Sequence, residues 1–174
     1  PPPSVMPDIS LFPDLPGDAR CWIHVADTPL DADTQTVLLD HLSDFFETWT
    51  SHQRPVTGRA TLRDDRVLIV AATLDDGAIS GCGIDSLTHT IDDVAASNQV
   101  RWMPALHVLY RDADGHLQSV SRTTFRERVD DGHITAETPV LDPSLTTLAA
   151  VRDRFEQPAG ASWHGRVFQI PTPA

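Results

Sequence analysis

Apolar residues alternate along the chain in short runs and recur at helical spacing in longer ones, and the two periods take turns. Cys21-Trp22-Ile23-His24-Val25 reads as a strand. Asp31 then stands where it caps a helix reaching Trp49, with Leu38, Leu42, Phe45 and Trp49 as its apolar stripe and Asp33, Asp40, Asp44 and Glu47 largely outside it. Val56, Ala60 and Leu62 alternate as a strand does, Asp64-Asp65 turns the chain, and residues 66–73 form a continuous apolar run expected to be a central strand buried on both faces. Ser80-Gly81-Cys82-Gly83 opens a second helix with Ile84, Leu87, Ile91 and Val94 on one face, which puts Cys82 at or near its N-terminus.

Further along, residues 105–110 and Leu117–Val120 predict a hairpin around Asp112-Ala113-Asp114-Gly115. Ser121 is placed to cap a short helix carrying Phe125 and Val129 and stopped by Gly132. Asp142-Pro143 predicts another helix start, since proline in the first turn wastes no donor, with Leu145, Leu148, Val151 and Phe155 as the stripe and Pro158 as the stop. Residues 166–170 are expected as a last strand. Hairpins mixed with helices predict one two-layer α+β domain over residues 17–170, a mixed but mainly antiparallel sheet with about four helices. Six of the fourteen prolines precede Gly17 and two fall in the last four residues, so residues 1–16 and 171–174 are expected to be extended tails.

Composition narrows the function classes. The 174 residues carry a formal net charge of −12 from 13 basic and 25 acidic side chains, and every cation is an arginine. A chain with no lysine has no Schiff base, no pyridoxal-phosphate anchor and no Walker lysine. A surface this acidic repels nucleic acid, whose phosphates need a basic patch. Aspartate in such excess over glutamate, with lysine absent, fits a genome biased towards Pro, Ala, Arg, Gly and Asp codons or a salt-adapted bacterial cytoplasm, and the second is the expectation favoured here. The start lacks the basic and apolar regions of a signal peptide, and the longest apolar run is far short of the roughly 18 residues a spanning helix needs. A cytoplasmic protein without membrane insertion is the expectation. Two cysteines, Cys21 and Cys82, make neither a disulfide framework nor a metal site. No cofactor motif is present, and the eight histidines show no metal-ligand spacing. His24 and His107 are expected as packed, hydrogen-bonded strand residues. Asp112-Ala113-Asp114-Gly115 opens like a calcium loop but lacks the later ligands, so a hairpin turn is the better reading.

The phrase Ser80-Gly81-Cys82-Gly83-Ile84-Asp85-Ser86 carries the chemical interest. Glycines at a helix start permit close backbone approach, unpaired amides and the helix dipole favour an anion there, and the same field favours a thiolate. A nucleophilic Cys82 needs a base, for which His52 and His164 are the candidates outside regular elements. In the competing structural reading the glycines make a turn, Ser80 or Asp85 caps the helix, and Cys82 is a small buried hydrophobe.

Four ordered phrases carry a resemblance: Leu15-Pro16 with Arg20-Cys21-Trp22-Ile23, then Trp49-Thr50-Ser51-His52, then the Cys82 phrase, then Ser162-Trp163-His164. Together they resemble a family of small uncharacterised bacterial proteins that read close to LPxxxRVWIYQADR, WxAHG, SGCSIDSS and a terminal SW or TW followed by a basic residue. The similarity runs from about residue 11 to residue 168 with spacing kept. Members are commonly labelled ABC transporter ATPase, which the missing Walker lysine, the missing signature loop and the short chain do not support. The resemblance implies Trp49, His52, Cys82, Asp85, Ser86, Trp163 and His164 as motif positions, with Arg20 and Arg166 available to pair with Asp85 or hold an anion. The chain departs from it at Gln53, where the family shows glycine, and at Gly83, where it shows serine. Two functions stay open. One is a binding or interaction module whose Gly81, Gly83 and Ser86 turn, with Trp49, Trp163, His164 and Arg166, takes a small anionic ligand or a protein partner. The other is a hydrolase or transferase in which Cys82 attacks, His52 accepts its proton and Asp85 orients the histidine.

Overall fold

The computed structural model describes residue 8 and residues 10–172, and it divides into two compact units. The larger comprises residues 9–102 and 144–152. Its first strand, β1 (Arg20–Val25), is followed by the helix α1 (Ala32–Thr48), whose Asp31 cap accepts the Thr34 amide at 2.7 Å. The chain then makes a small antiparallel pair, β2 (Thr50–Ser51) with β3 (Arg54–Pro55), before the long strands β4 (Thr57–Arg63) and β5 (Val67–Thr73). Between them Asp64 and Asp65 both take positive φ, 52° and 55°, the tight turn their side chains tolerate best. The sheet order is β1-β5-β4, antiparallel throughout, so β5 is central, and six of its seven residues are buried. Helix α2 (Gly81–Ser97) follows. Leu38 and Leu42 of α1 and Leu87, Ile91 and Val94 of α2 close over Leu68, Val70 and Ala72, and this covered face is the core of the unit.

The second unit comprises, of the described residues, 103–143 and 153–172 along with residue 8. It contains β6 (Val108–Arg111), β7 (Leu117–Val120), the helix α3 (Arg122–Asp130) and β8 (Pro139–Leu141). The helix α4 (Leu148–Arg154) starts in the larger unit, and after it come β9 (Glu156–Pro158) and the short helix α5 (Trp163–Val167). Strands run β7-β6-β8-β9, again antiparallel, around a core of Val108, Tyr110, Phe125, Ile134, Val140 and Phe168. The α+β class is the one expected. The strands, however, are distributed over three separate sheets among the described residues.

Several local expectations are corrected. Residues 166–170 do not form a strand: Ser162 caps α5, and a Cβ at Gly165 would meet the Ala159 carbonyl at 2.9 Å, so glycine there lets the helix close on the preceding turn. Asp142-Pro143 starts no helix. Its carboxylate accepts Trp163 Nε1, and residues 146–148 run beside β1 through Cys21 N to Thr146 O and Leu148 N to Ala19 O, which delays α4 to Leu148. The strand expected from residue 105 begins at Val108, since His107 N turns back to the Pro104 carbonyl and Leu106 is 71% exposed. The expected N-terminal tail is also shorter than residues 1–16. Leu11 and Leu15 are buried, and the Arg152 guanidinium donates to the carbonyls of Leu11, Phe12 and Leu15. Residues 1–7, 9 and 173–174 of the two tails lie outside the described residues.

Candidate functional site

The turn between β2 and β3 is His52-Gln53, both at positive φ, 51° and 65°. Two consecutive left-handed residues are what a two-residue hairpin turn demands, and glycine meets the demand at least cost. The glycine of the resembling family falls at position 53, one of these two positions. Ser51, 1% exposed, presents its hydroxyl to the start of α2: Ser80 N donates to Ser51 Oγ at 2.8 Å, and Ser51 Oγ donates to Ser80 Oγ at 3.0 Å. Ser80 Oγ in turn accepts the Gly83 amide at 3.2 Å as the helix cap. Trp49, buried at the end of α1, donates its indole N–H to the Gly83 carbonyl at 3.0 Å. On the other side, Arg54 donates to the Asp76 carbonyl at 2.5 Å. The hairpin carrying His52 is thereby latched to the start of α2 by two serines and an indole, and to the loop before α2 by an arginine.

Gly83 is buried between these groups. A Cβ at this position would meet Ile79 Cγ2 at 3.0 Å and Ser51 Cβ at 3.5 Å, so the serine of the resembling family would require Ile79 to yield. A Cβ at Gly81 would meet nothing within 4 Å, and Cys82 is exposed. That exposure overturns the reading of Cys82 as a small buried hydrophobe. Among the described residues the Gly81 and Cys82 amides have no acceptor, and the first turn of α2 holds no acidic side chain. The N-terminus of α1 differs on the last point, with Asp31 and Asp33 beside it.

His52 and Asp85 are both exposed, and among the described residues no hydrogen bond or ion pair joins Cys82, His52 and Asp85. Ser86 Oγ donates to the Cys82 carbonyl at 2.9 Å and so serves the helix. Cys21, the other thiol, is buried in β1, and desolvation raises its pKa to about 11 despite the charge of Arg152.

Trp163, His164 and Arg166 belong to the smaller unit, so the expected constellation divides between the two units. His164 is buried, 1% exposed, and its ring stacks on Trp163 with centroids 3.7 Å apart. Ser162 Oγ donates its one proton to the Ala159 carbonyl at 2.8 Å, so the contact at 2.9 Å with His164 Nδ1 makes that nitrogen the donor. Burial lowers the His164 pKa to about 4, with the Arg122 charge acting the same way and Asp142 opposing. The imidazole is therefore neutral at pH 7. Trp163 Nε1 donates to Asp142 Oδ2 at 3.0 Å, a pairing across 21 residues that no spacing announces. Trp163 and His164 thus pack against Phe125 and Phe168, while Arg166 is exposed with no partner among the described residues.

Two other expectations resolve simply. Asp112, Asp114 and His116 place ligand atoms within 4.8 Å of one another, but Asp112 accepts from the Asp114 and His116 amides and from Gln118 Nε2, which is turn chemistry. His107 Nδ1 meets Ser119 Oγ at 3.2 Å, as expected of a bonded histidine. His24 is packed 5.3 Å from the Trp102 ring, yet its Nδ1 and the Trp102 Nε1 are buried with no partner among the described residues. Among the described residues no helix is long and apolar enough to cross a membrane. Comparison with family models, with curated proteins and with solved structures finds no match.

Proposed function

We propose that the start of α2, together with the β2–β3 turn, binds a small anionic ligand or an anionic group of a protein partner. The observation that supports this most is the pair of amides, Gly81 and Cys82, left without acceptors at a helix end that carries no acid in its first turn, in a chain of net charge −12. At the start of α1, by contrast, Asp31 caps the helix and Asp33 stands in its first turn. A helix N-terminus by itself contributes about 0.3–1 kcal/mol to holding an anion. Affinity near the millimolar range needs about 4 kcal/mol, so His52 must add to it. The resemblance in the Trp49, His52 and Cys82 phrases points to the same two segments.

Alkylation of Cys82 by iodoacetamide reads this site directly. Inorganic phosphate slows the reaction saturably in the unmodified protein and much less in His52→Ala. An alkylation rate indifferent to phosphate contradicts the reading.

The exposure of Cys82 also favours a second reading, a Cys-dependent hydrolase or transferase. In it the Cys82 thiolate attacks an acyl carbon, His52 takes the thiol proton and returns it to the leaving group, and Asp85 orients the imidazole. An activated ester then leaves an acyl thioester on Cys82 that forms far more slowly in His52→Ala. Equal acylation in both proteins removes this reading.

A further inference from the structure

The larger unit has a sheet of only three strands, and β4 is its outer member on one side. Successive residues of β4 send their backbone groups alternately to β5 and outward. Val56 N donates outward to the Trp49 carbonyl, and the Gly58 carbonyl accepts Arg59 Nη1 at 2.8 Å, so the even-numbered residues face outward and Gly58 N, Ala60 and Leu62 form the open edge.

Beside that edge lies a groove of about 530 Å³ lined by Leu39, Ser43, Phe46 and Glu47 of α1 and by residues 56–60. Phe46 lies flat across Gly58, where a Cβ would come within 2.6 Å of the ring. Leu39 and Phe46 are only partly buried. Helix α1 thus reaches past the last strand, and the groove lies where the inward side chains of a further strand would sit.

The electrostatics select the occupant. Arg59 is held by Asp14 at 2.6 Å, so it presents no free cation to the groove. Glu47 of α1 lines the groove, and Asp40 and Asp44, exposed and at i, i+4, i+7 spacing with it, continue one acidic stripe along the same helix. Pairing of β4 with the β4 of a second copy would set two such stripes against each other, which like charges oppose.

We infer that β4 and the groove under α1 dock an extended basic segment of a partner protein, which adds as a fourth strand with apolar side chains toward Leu39 and Phe46 and a cation at Glu47. Recognition by strand addition draws affinity from the backbone and selectivity from alternate side chains.

The test uses a synthetic peptide of alternating valine and arginine and a counterpart of equal charge N-methylated at every residue, which has no N–H on either edge to complete a ladder. Saturable binding of the first is expected, with hydrogen-exchange protection gained at the Gly58, Ala60 and Leu62 amides, and binding about tenfold weaker for the methylated peptide. Glu47→Gln weakens binding without altering the fold. Ala60→Pro removes an outward N–H and abolishes protection at Leu62. Exchange in the unmodified protein decides the matter even if that variant fails to fold. Equal binding of both peptides would mean adhesion by charge alone and overturns the inference. So does a dimer in which these amides are already protected without peptide, since the occupant is then a second copy.

Discussion

At the residue scale the two thiols make opposite forecasts. Cys21 is buried in β1 with its pKa raised to about 11, and Cys82 is exposed on α2. A disulfide reagent at neutral pH should therefore titrate one thiol rapidly in the native protein and two after unfolding. Two fast thiols, or none, would contradict the burial pattern. The histidines make a pH forecast. Burial lowers the His164 pKa from 6.5 to about 4 and lowers that of His24 as well, with Asp92 opposing. The unfolded chain then binds more protons than the folded one below its own pKa, so their contribution is complete above about pH 6.5 and is lost as pH falls through the folded value. Urea midpoints measured from pH 7 to pH 4 should decline, and the slope should flatten in His164→Gln. A slope unchanged by that substitution would place the acid sensitivity elsewhere.

At the scale of elements, the latch between the β2–β3 hairpin and α2 sets the expectations. Ser51→Ala leaves the half-buried Ser80 N–H without its acceptor and should cost about 1 kcal/mol, and Ser80→Ala, which removes a helix cap, should cost about as much. Gln53→Gly relieves a side chain held at φ 65° and should stabilise by about 1 kcal/mol in the same denaturant assay. A destabilised Gln53→Gly would mean that contacts of the glutamine side chain outweigh the strain. The elements that could be read directly are those long enough to show a period. The α1 stripe from Leu38 to Trp49, the Ser80 cap with Leu87, Ile91 and Val94, and the apolar run of β5 all stand where the pattern put them. Strands of two or three residues such as β2, β3 and β9 contain no period to read. Residues 166–170 misled because Val167 and Phe168 have strand propensity, whereas Ser162 and Gly165 had already committed the segment to a helical turn. The Trp163–Asp142 bond and the Ser51–Ser80 pair depend on tertiary proximity, and neither residue type nor spacing in the chain signals it.

For the whole molecule, charge is the dominant fact. Fifteen of the acids and seven of the arginines fall in the larger unit by its residue ranges, a formal −8, and the remaining ten and six give the smaller unit −4. Self-repulsion of this size is relieved by salt, with a screening length of about 3 Å at 1 M. Stability should rise from low to high salt, and a protein equally stable without salt would contradict the salt-adaptation expectation. In so acidic a chain the acid-free first turn of α2, with the solvent-facing amides of Gly81 and Cys82, is a place where an anion meets little local opposition. Anion binding there is tested most directly by titrating inorganic phosphate into the ¹⁵N-labelled protein and following the amides. Saturable shifts are expected at Gly81, Cys82 and His52, with the Ala32 and Asp33 amides of the aspartate-capped α1 unmoved as an internal control. Shifts absent from Gly81 and Cys82, or equal at the two helix starts, would show that α2 holds no anion site.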